Sequence, residues 1–561
     1  MKTNFKAFLL LCVCAWGNIK TYAQALWEQQ DSPKYEIRAV WLTTIGGIDW
    51  PHSYQDQRQR EELRQELNRL KEAGINTVFL QTRVRATTIY PSAFEPWDGC
   101  ISGTPGKAPT YDPLKFAVEE CHQRGIQLHA WVVTIPIGKW NKYGCQQLRK
   151  KRPKMLTKIG DEGYLNPERP ETADYLTVIC QEIVENYDVD GIHLDYIRYP
   201  ETWKMRVSSE QGRANITRIT RNIYRKVKTL KPWVMVSCSP IGKHDNLTRY
   251  SSNGWNARSR VCQDAQQWLK EGIMDALFPM MYFRDNNFFP FAIDWKERSY
   301  GRFVVPGLGI FFLDPREGKW ALDDVERQLH VSRALGLGHC YFRTKFFLDN
   351  TQGVYDFGKK FNSVPSLVPP MNWLSSVKPE APKDVRIEKR LSEKSANGIQ
   401  ESMSVISWQT EKNMVYNVYA SESYPVDITK ASNLIATRLA APSLVIDGNR
   451  PLHYAVTGQD RFGQESDASQ VIYKSLIYNN INNLNKSLVI DDKTTDIPFK
   501  PSTLDADYIM IQTLQGTTIK IFPYHGYSVN ISNLPNGIYQ WRSLGKKGRN
   551  HRIGFFSVKH K

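Results

Sequence analysis

Between residues 36 and 344, eight short runs rich in β-branched and aromatic residues alternate with helical stretches. The runs cover 36–44, 75–83, 126–134, 191–197, 234–240, 276–283, 303–310 and 339–344. In the first helical stretch Leu63, Leu67 and Leu70 recur four and three apart, on one face. Ala73-Gly74 marks its end, with a glycine where a helix stops. Asp112-Pro113 opens the second helix as a cap followed by proline at the first helical position. Asn166-Pro167 and Arg169-Pro170 precede the third, and later helical patterns cover 209–230, 261–272, 290–300, 320–336 and 354–362. Eight βα units within about 330 residues fit one closed parallel (β/α)8 barrel, a TIM barrel. An open doubly wound sheet would carry a glycine-rich phosphate loop after its first strand. Here Thr44-Ile45-Gly46-Gly47 runs instead into Ile48-Asp49-Trp50-Pro51, which is no helix start.

A chain of 561 residues is too long for a single core, and its texture changes after Phe361. Prolines at 365, 369, 370, 379 and 382 mark a linker. From 380 to 475 only short alternating runs appear, among them 405–408, 415–420 and 453–457, the pattern of a small β-sandwich. Residues 476–490 are rich in asparagine and read as a second linker. A small C-terminal β-domain is expected over 491–561, with a turn at Pro535-Asn536-Gly537. The barrel is assigned to 34–365.

Residues 1–25 read as a signal peptide. Lys2 and Lys6 form a charged region, Phe8 to Val13 an apolar one, and Ala23-Gln24-Ala25 a cleavage site. Its apolar run is too short to span a bilayer, and no later segment is long and apolar enough. Cys12 and Cys14 follow Leu11 and Val13, a poor match to a lipid-attachment site. The expectation is export to the periplasm, cell surface or exterior of a Gram-negative bacterium, with no integral membrane segment after cleavage. Cleavage removes Lys2, Lys6 and Lys20 and no acid, taking the net charge from +17 to +14. A basic field of that size attracts polyanions such as acidic glycans and wall polymers, or simply keeps the protein soluble. No nucleic-acid-binding motif accompanies it, and export argues against that partner. Seven of the nine cysteines remain after cleavage, in no CxxC or zinc spacing. Cys121, Cys180 and Cys238 lie in apolar-periodic segments and read as small core residues. No cofactor motif is present, and the oligomeric state is left open.

Barrel enzymes place their chemistry at the C-terminal ends of the strands. The sharpest segment there runs from Asp188 to Pro200 around the fourth strand. Side chains alternate with period two, so His193 and Asp195 share one face. Asp195 then points into the barrel mouth, with His193 one layer deeper. An acid in that place suits glycosidic cleavage, which uses two carboxyl groups flanking the bond. The alternative for Asp195 is a structural ion pair with Arg198 or Arg83. Asp190 precedes the strand and reads as a residue of the opposite face. Candidates for the second carboxyl are Glu201, Asp285, Asp314 and Asp49, with Glu201 and Asp285 ahead. Gln81 and Arg83 share a face of strand two, His129 and Trp131 a face of strand three, and Tyr282 closes strand six. Arg83, His129, Trp131, His193, Tyr196, Arg198 and Tyr282 are the substrate-contact candidates. His129, His193 and Asp195 come from neighbouring strands, but scattered histidines without local spacing are no metal signature.

Several of these segments together resemble a known family. Glu36-Ile37-Arg38-Ala39-Val40-Trp41, His129-Ala130-Trp131, Leu165-Asn166-Pro167 and Asp190-Gly191-Ile192-His193-Leu194-Asp195-Tyr196 look like glycosyl-hydrolase-like family ten, in the family's order. The resemblance implies a TIM barrel and an exported enzyme of carbohydrate turnover. Some members are similar to enzymes that cut peptidoglycan strands stripped of their peptides. The chain departs from the family at two places. Thr87 stands where an acid is usual, and Asp195 is followed by Tyr196 where many members have a second acid. Residues 380–475 resemble a fibronectin type III domain through Trp408, Tyr454 and the Asp460, Gly463, Glu465, Ser466 turn. The last segment resembles C-terminal sorting domains of type IX secretion. The expected function is therefore hydrolysis of a polysaccharide, foremost peptidoglycan-type strands. Two alternatives remain open: a non-catalytic glycan-binding envelope protein, motivated by Thr87, or a hydrolase of dietary or capsular polysaccharide.

Overall fold

The computed structural model describes residues 32–249, 254–391, 402–446 and 452–471, and short strand segments between 489 and 558. The leader, most of the asparagine-rich stretch and Asn536 of the expected C-terminal turn lie outside the described residues.

Eight parallel strands run in chain order: β1 (Arg38–Leu42), β2 (Thr77–Arg83), β3 (Gln127–Val133), β4 (Gly191–Asp195), β5 (Met235–Cys238), β6 (Ala276–Leu277), β7 (Phe303–Val304 and Gly307–Leu308) and β8 (His339–Tyr341). Neighbours in sequence are neighbours in the sheet, and β1 pairs with β8 through Arg38↔His339. β7 is interrupted at Val305-Pro306, where proline has no N–H to give the ladder. Its first piece pairs with β6 and its second with β8, so the sheet curls round and closes. β6 is shorter than the expected 276–283 for the same reason: Pro279 breaks it, leaving isolated bridges from Met280 to Ile241 and Gly307.

Helices α1 (Asp56–Glu72), α2 (Pro113–Gln123), α3 (Pro170–Asn186), α4 (Ser209–Leu230), α5 (Ala265–Lys270), α6 (Phe289–Glu297), α7 (Leu322–Ala334) and α8 (Val354–Phe361) cover the sheet. Their starts follow local chemistry. The Asp112 side chain accepts from Lys115 N, and Ser208 accepts from Gln211 N, each satisfying an orphan amide of a first turn. α4 buries Ile216, Ile219, Ile223 and Val227, spaced three, four and four apart.

Two apolar layers result. One lies between strands and helices and includes Leu63, Leu67, Leu80, Ile192 and Leu194. The other fills the barrel, with Trp41, Phe79, Trp131, Met235 and Phe278 from alternate positions. The segment after α8 closes the barrel floor: Val368 and Met371 join that inner core, and Trp373 Nε1 donates to Asp275 at 3.0 Å.

Beyond it stand a three-stranded antiparallel sheet (Arg386–Leu391, Ser402–Ser407, Ser443–Ile446) and a four-stranded one (Leu434–Leu439, Val415–Ser421, His453–Gln459, Ser469–Val471). Ile406, Trp408, Tyr416, Val418, Tyr454 and Val456 form their core. This sandwich sits on the barrel floor. Arg438 pairs with Asp190 at 2.7 Å, Arg461 pairs with Asp188, and Lys34 pairs with Glu465 at 2.6 Å. A last sheet of five strands includes Tyr508–Thr513, Gly537–Leu544 and Ile553–Val558. All seven cysteines of the described residues are buried and free. No helix among the described residues is long and apolar enough to cross a membrane.

Candidate active site

β4 carries Asp195 to the C-terminal rim of the barrel, level with Val133 of β3. Asp195 is 6% exposed. Three donors hold it. Ser239 Oγ donates to Oδ1 at 2.9 Å, the amide of Tyr196 donates to Oδ1 at 2.8 Å, and Trp131 Nε1 donates to Oδ2 at 3.1 Å. Burial pushes the carboxyl pKa up, and the donors and the nearby Arg198 charge pull it back only in part, so it ends raised. Oδ1 is thus doubly engaged, while Oδ2 has a single donor and keeps room for a proton.

Tyr196 takes a left-handed φ of +53°, uncommon for a residue with a β-carbon. That turn aims its amide back at Asp195 and lays its ring against the Arg198 guanidinium, 4.6 Å from centroid to carbon. Strain of this kind concentrates at functional sites. Arg198 is 3% exposed, lies 5.8 Å from the Trp255 ring as well, and donates to Glu201 Oε1 at 2.8 Å. Burial alone would raise Glu201, but the Arg198 hydrogen bond and charge outweigh it and hold its pKa below the usual carboxylate range. Tyr282, from the segment after β6, is pushed up first by burial and further by the Asp195 charge; its ring packs on Phe311 and Phe342.

The structure therefore brings together Asp195, Trp131, Tyr196, Arg198, Glu201 and Tyr282. It does not form the alternative ion pair: Arg198 bonds Glu201, and Arg83 bonds Glu95. Three expected contact residues are corrected. Arg83 is wholly buried, held by Glu95 at 2.6 and 2.8 Å and by the Val133 and Thr134 carbonyls. Its long side chain turns away from the mouth because a buried carboxylate partner is waiting there. His193 is wholly buried one layer below Asp195. It accepts from Trp41 Nε1 at 3.2 Å, bonds Ser237 Oγ at 2.9 Å and lies 4.2 Å from the Phe79 ring. Burial holds its pKa well down, so it is a neutral core ring. His129 lies deeper still, against Gly191, with burial lowering its pKa to about 4. None of the three can reach a ligand at the rim.

The other carboxyl candidates have partners elsewhere. Asp285 is exposed, with Arg327 at 3.9 Å as its ionic partner. Asp314 is clamped by Arg316 at 2.6 Å. Asp49 is buried under Arg343 and the amide of Thr43. Asp190 lies on the barrel floor, bonded to His122 and Arg438. Thr87, the family departure, donates to Asp98 Oδ2 at 2.6 Å, so a carboxylate sits beside the position that lacks one. Ser239 went unnoticed in the sequence, although Met235, Ser237 and Ser239 share one strand face. Trp255 carried no signal at all. Among the described residues no group of three or more His, Cys, Asp or Glu side chains is placed to hold a metal ion.

Residues 36–211 and 205–308 match the model of the family described as Glycosyl hydrolase-like 10. The chain is 28% identical over 483 residues to Glycosyl hydrolase YngK of Bacillus subtilis (strain 168), covering 78% of this chain and 92% of that one. It is 29% identical over 296 residues to Glycosyl hydrolase DigH of Escherichia coli (strain K12), covering 46% of this chain and 66% of that one. Among solved structures, the glycoside hydrolase domain of PgaB (BpsB) from Bordetella bronchiseptica is similar with a TM-score of 0.42 and 14% identity, over 60% of this chain and 100% of that one. The enzyme class carried by the family match and the relatives is glycoside hydrolase.

Proposed function

We propose that this chain is an exported glycoside hydrolase that cuts peptidoglycan-type glycan strands, with Asp195 as proton donor and Glu201 as its ionised partner. The observation that carries the assignment is the opposite tuning of two carboxyls around one arginine. Asp195 is raised by burial, and Glu201 is held low by Arg198. Pairs whose environments push them apart divide acid and base roles between them. Hydrolysis needs that division: one carboxylic acid protonates the leaving oxygen, and one carboxylate attacks or activates water.

Asp195 delivers its proton from Oδ2, the oxygen with one donor. Ser239 and the Tyr196 amide fix Oδ1 and so the plane of the group. Arg198 keeps Glu201 charged and positions it three residues along the same loop. Its own Nε is buried and has no hydrogen-bond partner among the described residues. Tyr196 and Trp255, 36% and 42% exposed, offer ring faces for stacking at the rim. The leader-like residues 1–25 and the basic charge support export to a wall polymer.

The test is product release by the mature chain from peptide-free glycan strands, intact peptidoglycan and neutral polysaccharides, with Asp195→Asn alongside. Release from bare strands, lost in the variant, supports the reading. Binding without release from every substrate overturns it in favour of a glycan receptor.

A further inference from the structure

On the same rim, beyond the loops that follow β1, β2 and β3, lies a groove of about 650 Å³. Arg85 lines it, two residues past the end of β2 and against Gly138. Ile137 and Gly138 of its wall follow β3, whose last residue Val133 pairs with Asp195, so the groove borders the Asp195 rim. Lys139 and Lys142 line the groove as well. Neither Arg85 nor Lys142 has an acidic partner among the described residues, and the Asp161 partner of Lys139 lies 3.3 Å away with both side chains largely in solvent. The one acid among the lining residues, Asp98, is already engaged. Its Oδ2 accepts from Thr87 and its Oδ1 from the amide of Cys100. Cations without countercharge, in a concave wall, focus a positive field.

Two tyrosines flank the same space. Tyr54 is 66% exposed and Tyr143 39% exposed. Each is backed by a glycine: a methyl on Gly103 would meet the Tyr54 ring at 3.3 Å, and one on Gly106 would meet Tyr143 at 2.7 Å. Each ring therefore lies close against a glycine backbone on one side. Flat rings beside unpaired cations recognise a ring-shaped ligand that carries negative charge.

We infer that this groove is a subsite for a sugar residue bearing a free carboxylate, read by Arg85 and Lys142 between the faces of Tyr54 and Tyr143. The inference rests on the reading of Asp195 as the cleavage centre and adds what the strand must carry one or more sugars away from the cut bond. Two sources offer that chemistry: an ether-linked lactyl acid on a peptide-free wall strand, and the ring acid of a polyuronate. In intact peptidoglycan the lactyl acid is an amide and carries no charge.

The experiment uses the full mature chain on peptide-free wall strands and on a polyuronate. Each is offered as such and after reduction of its carboxyls to alcohols. The quantity read is the ratio of kcat/KM for the acid form to that for the reduced form. Wild type is expected to favour the acid form by about ten-fold or more, the scale of one or two charge-assisted hydrogen bonds. In the R85Q/K142Q double variant the ratio should fall toward one. The polymer that shows the preference identifies the source. A wild-type ratio near one on both polymers, or a ratio that the double variant leaves intact, overturns the subsite. If no polymer is cut in either form, the hydrolase reading fails. Calorimetric binding of acid and reduced strands then decides the groove alone, by the same ratio taken from Kd.

Discussion

Ser239 donates its hydroxyl to Oδ1 of Asp195 at 2.9 Å, from the end of one barrel strand to the end of the next. The bond favours the ionised carboxyl, because the oxygen accepts more strongly when charged. Ser239→Ala removes that donor, so Asp195 should rise further. The alkaline limb of the kcat/KM profile then moves to higher pH, and kcat falls about ten-fold for the loss of a bond worth roughly 1.5–3 kcal/mol. Ser239→Thr keeps the hydroxyl and should restore the limb. A pH profile checks it: an unmoved limb in the alanine variant removes Asp195 from the proton-donor role.

Asp195→Asn should lower kcat/KM by about 10²–10⁴-fold, the usual worth of a positioned acid, while strand affinity persists. Glu201→Gln should do the same. Arg198 provides the sign test. Because its charge holds Glu201 low, activity in wild type persists to acidic pH and is lost only as pH falls through that lowered value. Arg198→Gln lifts Glu201, so the acid limb should move to higher pH. Initial rates across the acidic range decide it, and a limb that moves the other way would reject the pairing.

The sandwich and barrel are latched by Arg438 and Asp190. Burial alone would raise Asp190, but Arg438 and His122 outweigh it and hold its pKa far below the usual range. A carboxylate lowered on folding stabilises fully above its unfolded pKa of about 3.9, and that stability drains as pH falls toward the folded value. Arg438→Met leaves Asp190 buried without its main partner, at a cost of about 3–5 kcal/mol. Urea denaturation at pH 7 should show that gap, and it should narrow below about pH 4. A gap of constant size would mean that the latch is not the source.

Gly191 leaves room for His129: a methyl there would lie 2.3 Å from His129 Nδ1. Gly191→Ala should therefore destabilise the barrel by about 1–3 kcal/mol through overpacking. Adding His129→Ala frees the space, so the double variant should lose less than the sum of the two single changes. Additive losses in thermal melts would show that the two positions do not compete.

Much of this protein was legible in one dimension. Alternating β-rich and helical stretches announced eight βα units, since periods of two and 3.6 are properties of the local chain. Period two also put His193 and Asp195 on one face of β4, and the short run to Pro200 put Asp195 near its end. What the sequence could not supply was depth and partnership. Both Arg83 and Asp195 lie near strand ends, yet Arg83 closes on Glu95 behind the sheet while Asp195 opens to the rim. Ser239 meets Asp195 only because β4 and β5 pair in the register Leu194↔Cys238. Register, closure of the ring through the broken β7, and docking of the sandwich on the floor are relations between segments distant along the chain. Local periodicity fixes which face a side chain takes; only the packed tertiary structure decides what stands opposite it.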